Sequence, residues 1–361
     1  MTKDQLQQDA LDAIGDQSNV AVEIGTGGGK TLLALKHLNK FILPFNNKYL
    51  VVVPRNSIKQ EWINEANKHG LQDLLMDIEF TTYRSLHKCN QAYDIVYLDE
   101  CHSLKLSHKE WLESYTGKVI GFTGTYPKGT ISEKAIMCNT FCVKIFEYNV
   151  DEAIEDNILN DYQIYIHMLK LGTANNVSKK NSKGGKWKTS ELKDYNNLTN
   201  LINKSFGQKK QMFQIMRMKA MQSYPTKIEY VKKILKNIPY KVLVFANTQE
   251  QADLLCQHSY HSKNPNSEKN LKLFSEDLIK ELSCVDQLSE GKSIPNLKCG
   301  IIMHSFSNER LTRQRIGRFL RLNPNDKGYI HVLCYENSID NTWVMNALSS
   351  FNQSKIKIYR P

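Results

Sequence analysis

The 361-residue chain contains no uninterrupted apolar run approaching the ~20 residues that a membrane-spanning helix needs. Its polar start, MTKDQLQQDALDAIGDQ, lacks the apolar core of a secretion signal, so a cytoplasmic location is expected. Its eight cysteines are scattered, several in strand-like runs, which excludes a disulfide framework and suggests reduced thiols. Cys138 and Cys142 are spaced C-x3-C, but no second pair with zinc spacing follows, so ordinary core or surface thiols are expected there. No repeat of fixed period is present, nor any nuclease-like or methylase-like segment.

Two scarcities are local. Acidic residues nearly vanish between 173 and 240, where Glu191, Asp194 and Glu229 face fifteen Lys and Arg. That surplus of +12 exceeds the +11 of the whole chain, while residues 1–150 are near neutral, with 16 basic and 17 acidic groups. Such a block marks a solvated arm or a polyanion-binding surface, and no amphipathic membrane anchor accompanies it. Arginine is the second scarcity, with nine against 39 lysines, yet five of the nine lie in RLTRQRIGRFLR, 310–321. Guanidinium offers planar, bidentate phosphate recognition that ammonium does not. Arg310, Gln314, Arg318 and Arg321 fall at helical spacing, with Ile316, Phe319 and Leu320 left for packing.

Glycine, by contrast, is concentrated. EIGTGGGKT, 23–31, follows the strand-like NVAVEI and leads into a helical pattern. A strand, a glycine turn and a helix opening on Lys-Thr form a phosphate cradle of inward N–H groups. Thr26, Gly27, Gly28 and Gly29 would line it, Lys30 would reach the outer phosphates and Thr31 would bind Mg2+. The common pattern has Gly where this chain has Ile24. VYLDECHS, 96–103, delivers Asp99 and Glu100 to the end of an apolar strand. Asp99 suits Mg2+, and Glu100 suits orienting or deprotonating the attacking water. His102, Thr123 and Thr125 are candidates for coupling nucleotide state to neighbouring loops.

Alternating strand and helix patterns over 19–124 predict a parallel sheet covered on both faces. Strand-like runs at 162–171, 241–247, 299–305 and 328–336 predict a second α/β system. The intervening segment 175–190 reads as turn and linker, and 196–237 as mostly helical. Lys183, Lys186 and Lys188 around Trp187 have the composition of a cationic groove with a stacking platform.

In order, TGGGKT, VVVPRNSIKQEW, TTYRSL, DECH and TGT, then VLVFANT, LSEGKSIP and QRIGRFLR, resemble the motif series of superfamily 2 helicases and translocases of the DExH type. The crossing segment 150–171 is similar to that of phage-type helicases and restriction-enzyme motor subunits. The resemblance implies an α/β fold of two RecA-like parallel-sheet lobes with an interlobe ATP cleft and a basic, partly helical insertion. Its boundaries would be 1–149 for the first lobe, 150–172 for the crossover and first strand of the second, 173–240 for the basic insertion and 241–361 for the rest of the second lobe.

It further implies ATP and Mg2+ as cofactors, hydrolysis by Lys30, Thr31, Asp99 and Glu100, and completion of the site by Gln314, Arg318 and Arg321. Pro54, Arg55, Asn56, Thr82 and Tyr83 would contact nucleic acid from the first lobe, and Asn247, Thr248, Glu290 and Gly291 would do related work in the second. Gln7 is the candidate for the adenine side, although Asp4 and Leu6 stand where the family carries Arg and an aromatic. Ser293 stands where the family carries an acid. The partner is nucleic acid, DNA before RNA, handled by a monomer or within a replication or recombination assembly. An RNA helicase, a nucleotide-switched clamp and the motor of a larger restriction machine are the alternatives.

Overall fold

The chain divides into two units, Met1–Asp161 with Asn323–Asp326, and Tyr162–Leu322 with Lys327–Pro361. A computed structural model describes residues 1–25, 27–40, 48–127, 129–180, 185–285, 288, 294–305, 309–320, 322–323, 325–349 and 351–361, without the side chains of Ser57, Glu309 and Arg310. Among them no helix is long and apolar enough to cross a membrane.

The first unit runs α1 (Lys3–Ile14), β1 (Val20–Ile24), α2 (Lys30–Lys40), β2 (Tyr49–Val53), α3 (Asn56–Lys68), β3 (Ile78–Thr82), β4 (Ile95–Asp99), α4 (Lys109–Ser114), β5 (Lys118–Thr123), α5 (Glu133–Phe141), β6 (Val143–Tyr148) and α6 (Val150–Glu155). Thr2 caps α1 by accepting from the Gln5 N–H, and Leu6, Ala10, Leu11 and Ile14 form its buried stripe. The sheet order is β3-β2-β4-β5-β1-β6, with every adjacent pair parallel. β2 and β4 are buried at all five positions, as a parallel strand with both faces covered must be. In this order β5 lies between β1 and β4, so the ends of all three meet at one edge.

The second unit runs β7 (Asp161–Leu169), β8 (Val177–Lys180), β9 (Lys186–Thr189), α7 (Glu191–Asn203), α8 (Gly207–Ser223), α9 (Pro225–Leu235), β10 (Val242–Phe245), α10 (Gln249–Leu255), β11 (Ser259–Tyr260), α11 (Ser267–Ser275), β12 (Glu281–Cys284), β13 (Cys299–Ile302), α12 (Glu309–Ile316), β14 (Lys327–Tyr335), α13 (Ile339–Leu348) and β15 (Ile356–Tyr359). Its sheet order is β11-β12-β10-β13-β14-β7-β15. The expected pair of α/β systems is therefore present.

The segment 175–190, expected as a linker, contains an antiparallel hairpin of β8 and β9. The helical part of the basic stretch is built into the core, through Tyr195, Leu198, Ala220, Met221, Tyr224, Val231 and Leu235. Apart from Lys227, the lysines of these helices thus lie outward, on faces opposite the core.

Several histidines are buried. His37 sits 2.9 Å from the Tyr97 hydroxyl, and His167 Nε2 lies 2.9 Å from His331 Nδ1. Burial holds His37 and His167 down at about 4 and His331 at about 3, from 6.5. His304 is also lowered, by burial and then by Lys227 and Arg315. The folded chain therefore binds fewer protons than the unfolded chain between these values and 6.5. The stability of the neutral rings is fully present above pH 6.5 and is lost as pH falls toward 4. Urea midpoints should fall over that interval. His167→Gln should flatten the slope, and an unchanged slope would show that the histidines titrate freely in the fold.

Candidate nucleotide site

The glycine loop joins β1 to α2. Gly27 and Gly29 hold φ of 96° and 84°, conformations that a side chain disfavours. A Cβ on Gly28 would lie 2.1 Å from Ile24 Cγ2, so this position is closed to any other residue without movement. The Gly28 N–H donates to the Gly25 carbonyl at 3.1 Å, and α2 begins with Lys30 immediately after the turn. Gln7, buried on α1, donates to the Gly29 carbonyl at 3.5 Å, while its Oε1 has no hydrogen-bond partner among the described residues.

Lys30 reaches back over the loop. Its ammonium donates to the Ile24 carbonyl at 3.3 Å and lies 3.8 Å from Glu100 Oε1. The turn and the acidic pair, 69 residues apart in sequence, thus meet through one cation.

Asp99 ends β4 in the interior. The Trp62 indole N–H donates to its Oδ2 at 3.1 Å, and the Tyr83 hydroxyl donates to its carbonyl at 2.9 Å. Burial, and next the charge of Glu100, raise the Asp99 carboxyl to about 6, against the Trp62 hydrogen bond and Lys30. Glu100 takes a left-handed φ of 52°, uncommon for a residue with a long side chain. Its Oε2 then accepts from Thr123 Oγ1 and from the Gly124 N–H, both at 3.3 Å. His102 Nδ1 lies 3.2 Å from that same oxygen and 2.6 Å from Thr123 Oγ1. The Thr125 N–H donates to Thr123 Oγ1 at 3.1 Å. Local backbone strain at Glu100 is thus matched by a network that fixes its carboxylate beside Lys30.

In the second unit the arginine segment departs from the expected single helix. α12 stops at Ile316 and a tighter 3-10 turn, Gly317–Leu320, continues. In this turn the Phe319 ring occupies the place of a side chain on Gly300 of β13, where a Cβ would lie 2.0 Å from Phe319 Cζ. Ile316, Phe319 and Leu320 are fully buried, as expected. Gln314 and Arg318 are buried too, and among the described residues Gln314 Oε1 has no hydrogen-bond partner. Arg315, not singled out from sequence, is the most buried of the described arginines. It donates to the His304 carbonyl at 3.3 Å and lies 5.0 Å over the Phe245 ring.

Of the remaining expected residues, Pro54, Arg55 and Asn56 follow β2, and Thr82 and Tyr83 stand at the end of β3, the strand paired with it. Pro54 is half-buried, Arg55 and Asn56 are exposed at the start of α3, and Thr82 is half-buried at the end of β3. Tyr83 is only 6% exposed and is committed to Asp99, which removes it from an open binding face. Asn247 donates through Nδ2 to Gln222 Oε1 at 2.8 Å, and Thr248 caps α10 by accepting from the Gln251 N–H. Lys186, Trp187 and Lys188 are exposed on β9. Thr26, Lys183, Glu290, Gly291 and Arg321 lie outside the described residues.

The family described as "Type III restriction enzyme, res subunit" matches residues 1–128, and "Helicase conserved C-terminal domain" matches 226–323. The chain belongs to the superfamily 2 helicases. Several solved structures share the fold at low identity. The Type ISP restriction-modification enzyme LlaBIII bound to DNA is 14% identical, with a TM-score of 0.65 over 99% of this chain and 31% of its own. The Hef helicase domain of Pyrococcus furiosus is 11% identical, with a TM-score of 0.55 over 94% of this chain and 97% of its own. Dbp5 of S. cerevisiae, bound to RNA and ADP BeF3, is 11% identical, with a TM-score of 0.59 over 99% and 89%. The chain thus spans about a third of the LlaBIII chain. No curated protein sequence matches it. This likeness bears on the two parallel sheets, as expected from the sequence, and leaves the role of each residue to its own geometry.

Proposed function

We propose that the chain is an ATP-driven nucleic-acid motor of the DExH type that acts on DNA. The observation that carries this reading is the meeting of Lys30 with Glu100, which joins a glycine turn to a buried acidic strand end. Lys30 would bind the outer phosphates of ATP. Glu100, anchored by Thr123 and Gly124, would orient the attacking water and accept its proton. Thr31 and Asp99 suit a bound Mg2+, which supplies neutralisation of phosphate charge when present. The unpartnered amide oxygen of buried Gln7 suits an amino group on the adenine edge. Gln314, Arg318 and Arg321 would serve the same triphosphate. His102, Thr123 and Thr125, already one hydrogen-bonded set with Glu100, would relay its state.

DNA is favoured over RNA because the motif series resembles phage recombination and remodelling helicases, and because one structural relative is a restriction enzyme bound to DNA. The deciding experiment is phosphate release with matched single-stranded, duplex, forked and RNA substrates. Greater stimulation by DNA is expected. Greater stimulation by RNA would move the assignment to an RNA helicase, and nucleotide-dependent binding without turnover would make the chain a clamp.

The exposed hairpin strand β9 would grip the strand, with Trp187, half exposed at 50%, stacking between Lys186 and Lys188. Replacing both lysines with glutamine should lower affinity and reduce the slope of log affinity against log salt by about 2. Superimposable isotherms across a salt series would take the hairpin out of the binding surface.

A further inference from the structure

Behind the nucleotide site, the first unit brings one thiol together with two others more than 35 residues further along the chain. Cys101 lies in the 3-10 turn Cys101–Ser103, directly after Glu100. Cys138 belongs to α5, and Cys142 follows that helix with its N–H on the Cys138 carbonyl at 2.9 Å. All three are 0% exposed, and their sulfurs lie within 4.8 Å of one another. Cys138 Sγ is 3.5 Å from the Cys101 carbonyl oxygen. Gly121 of β5 makes the approach possible: a Cβ there would come within 3.0 Å of Cys101 Sγ and 3.1 Å of Cys142 Cβ. The Tyr126 hydroxyl donates to the Cys142 carbonyl at 3.0 Å and fixes the third backbone.

Charge selects what such a group would take. The donors are three sulfurs, with no histidine or carboxylate among them. Structural zinc is almost always four-coordinate, and among the described residues no fourth donor joins the three sulfurs. Three thiolates on a mono- or divalent cation would also leave net negative charge in an apolar cluster that includes Leu98, Met137 and Phe141. Uncompensated charge in such surroundings is strongly disfavoured. A trivalent thiophile binds three sulfurs and leaves the complex neutral.

We propose that Cys101, Cys138 and Cys142 form a buried binding site for a trivalent thiophilic metalloid, of which arsenite is the probe. Arsenous acid, As(OH)3, and three cysteine thiols give a tris-thiolate arsenic and three waters. Three As–O bonds break and three As–S bonds form. Each thiol proton leaves on a hydroxide, and no atom is oxidised or reduced. Entry requires local opening of the short helix α5 and its junction with β6, so binding is slow.

The test uses the full reduced chain incubated with arsenite. Native mass spectrometry should show one arsenic per chain with loss of three protons, and the melting temperature should rise with arsenite concentration. Cys138→Ser should abolish both effects, while Cys89→Ser, outside the cluster, should keep them. X-ray absorption at the arsenic edge on the wild-type chain should give three sulfur neighbours, a measurement independent of how any variant folds. No adduct, an adduct that survives Cys138→Ser, or fewer than three sulfur neighbours would overturn the site. None of these readouts depends on ATP turnover.

Discussion

Glu100→Gln should leave nucleotide binding intact and lower the rate of phosphate release by about 10²–10⁴-fold, the range that a positioned general base contributes. The amide keeps the size of the side chain and can still accept from Thr123 and the Gly124 N–H, so the left-handed turn at residue 100 has reason to persist. Two things are lost. The amide cannot take a proton from water, and its interaction with the Lys30 ammonium, 3.8 Å away, loses its charge. Binding of a non-hydrolysable nucleotide, measured beside phosphate release, separates the two effects. Turnover equal to wild type would reduce Glu100 to a structural residue that holds Thr123 and His102 in place.

The second large effect is on stability. Lys227 of α9 is 1% exposed, yet it carries an ammonium into the centre of the second unit. That ammonium donates to Asp340 Oδ2 at 2.6 Å, to the Met303 carbonyl at 2.8 Å and to the Leu333 carbonyl at 3.3 Å. It also lies 5.1 Å over the Tyr335 ring. Asp340 is 3% exposed and accepts from the Tyr335 N–H. The pair ties α9 and α13 to the ends of β13 and β14. Lys227→Met removes one partner and leaves a carboxylate uncompensated in the core, so a loss of about 3–5 kcal/mol is expected. That is a large share of the ~5–15 kcal/mol by which domains of ordinary size are stable. Lys227→Met combined with Asp340→Leu should recover most of the loss, because no charge is then stranded. Urea denaturation of the three chains tests this. A loss below about 1 kcal/mol in the single variant would mean that Asp340 finds water or another donor.

What could be read from the sequence was whatever short-range pattern encodes. The glycine turn, the apolar strand ending in Asp99-Glu100 and the helix after Lys30 each announce themselves within ten residues, and they stand where expected. β6 and β15 escaped because VKIFEY is only partly buried, IKIY is largely exposed and both carry charge, so they lack the apolar run of a central strand. The break at Gly317 is not marked by the local pattern, and the seating of Phe319 against Gly300 joins segments on different elements. Burial of Arg315 and Lys227 ran against the ordinary rule for charged groups, and only tertiary partners explain it. Tyr83 looked like a binding residue because its neighbours in the motif suggested one, whereas a hydrogen bond to the Asp99 carbonyl decides its position. The sequence shows Cys138 and Cys142 only as a C-x3-C pair at the end of α5, and 37 residues part Cys101 from Cys138, so no spacing pattern could add the third thiol.

The sheet order of the second unit bears on how the chain is made. In the first unit the last strand ends at Tyr148, and every strand it pairs with has already left the ribosome. β7 comes next, but its neighbours are β14 and β15, at 327–335 and 356–359. At ~5–20 residues per second, that largely buried strand waits roughly ten to thirty seconds for its first partner. During that interval the nascent chain displays a sticky, unpaired strand, which makes β7 the segment where chaperone capture and misassembly would concentrate.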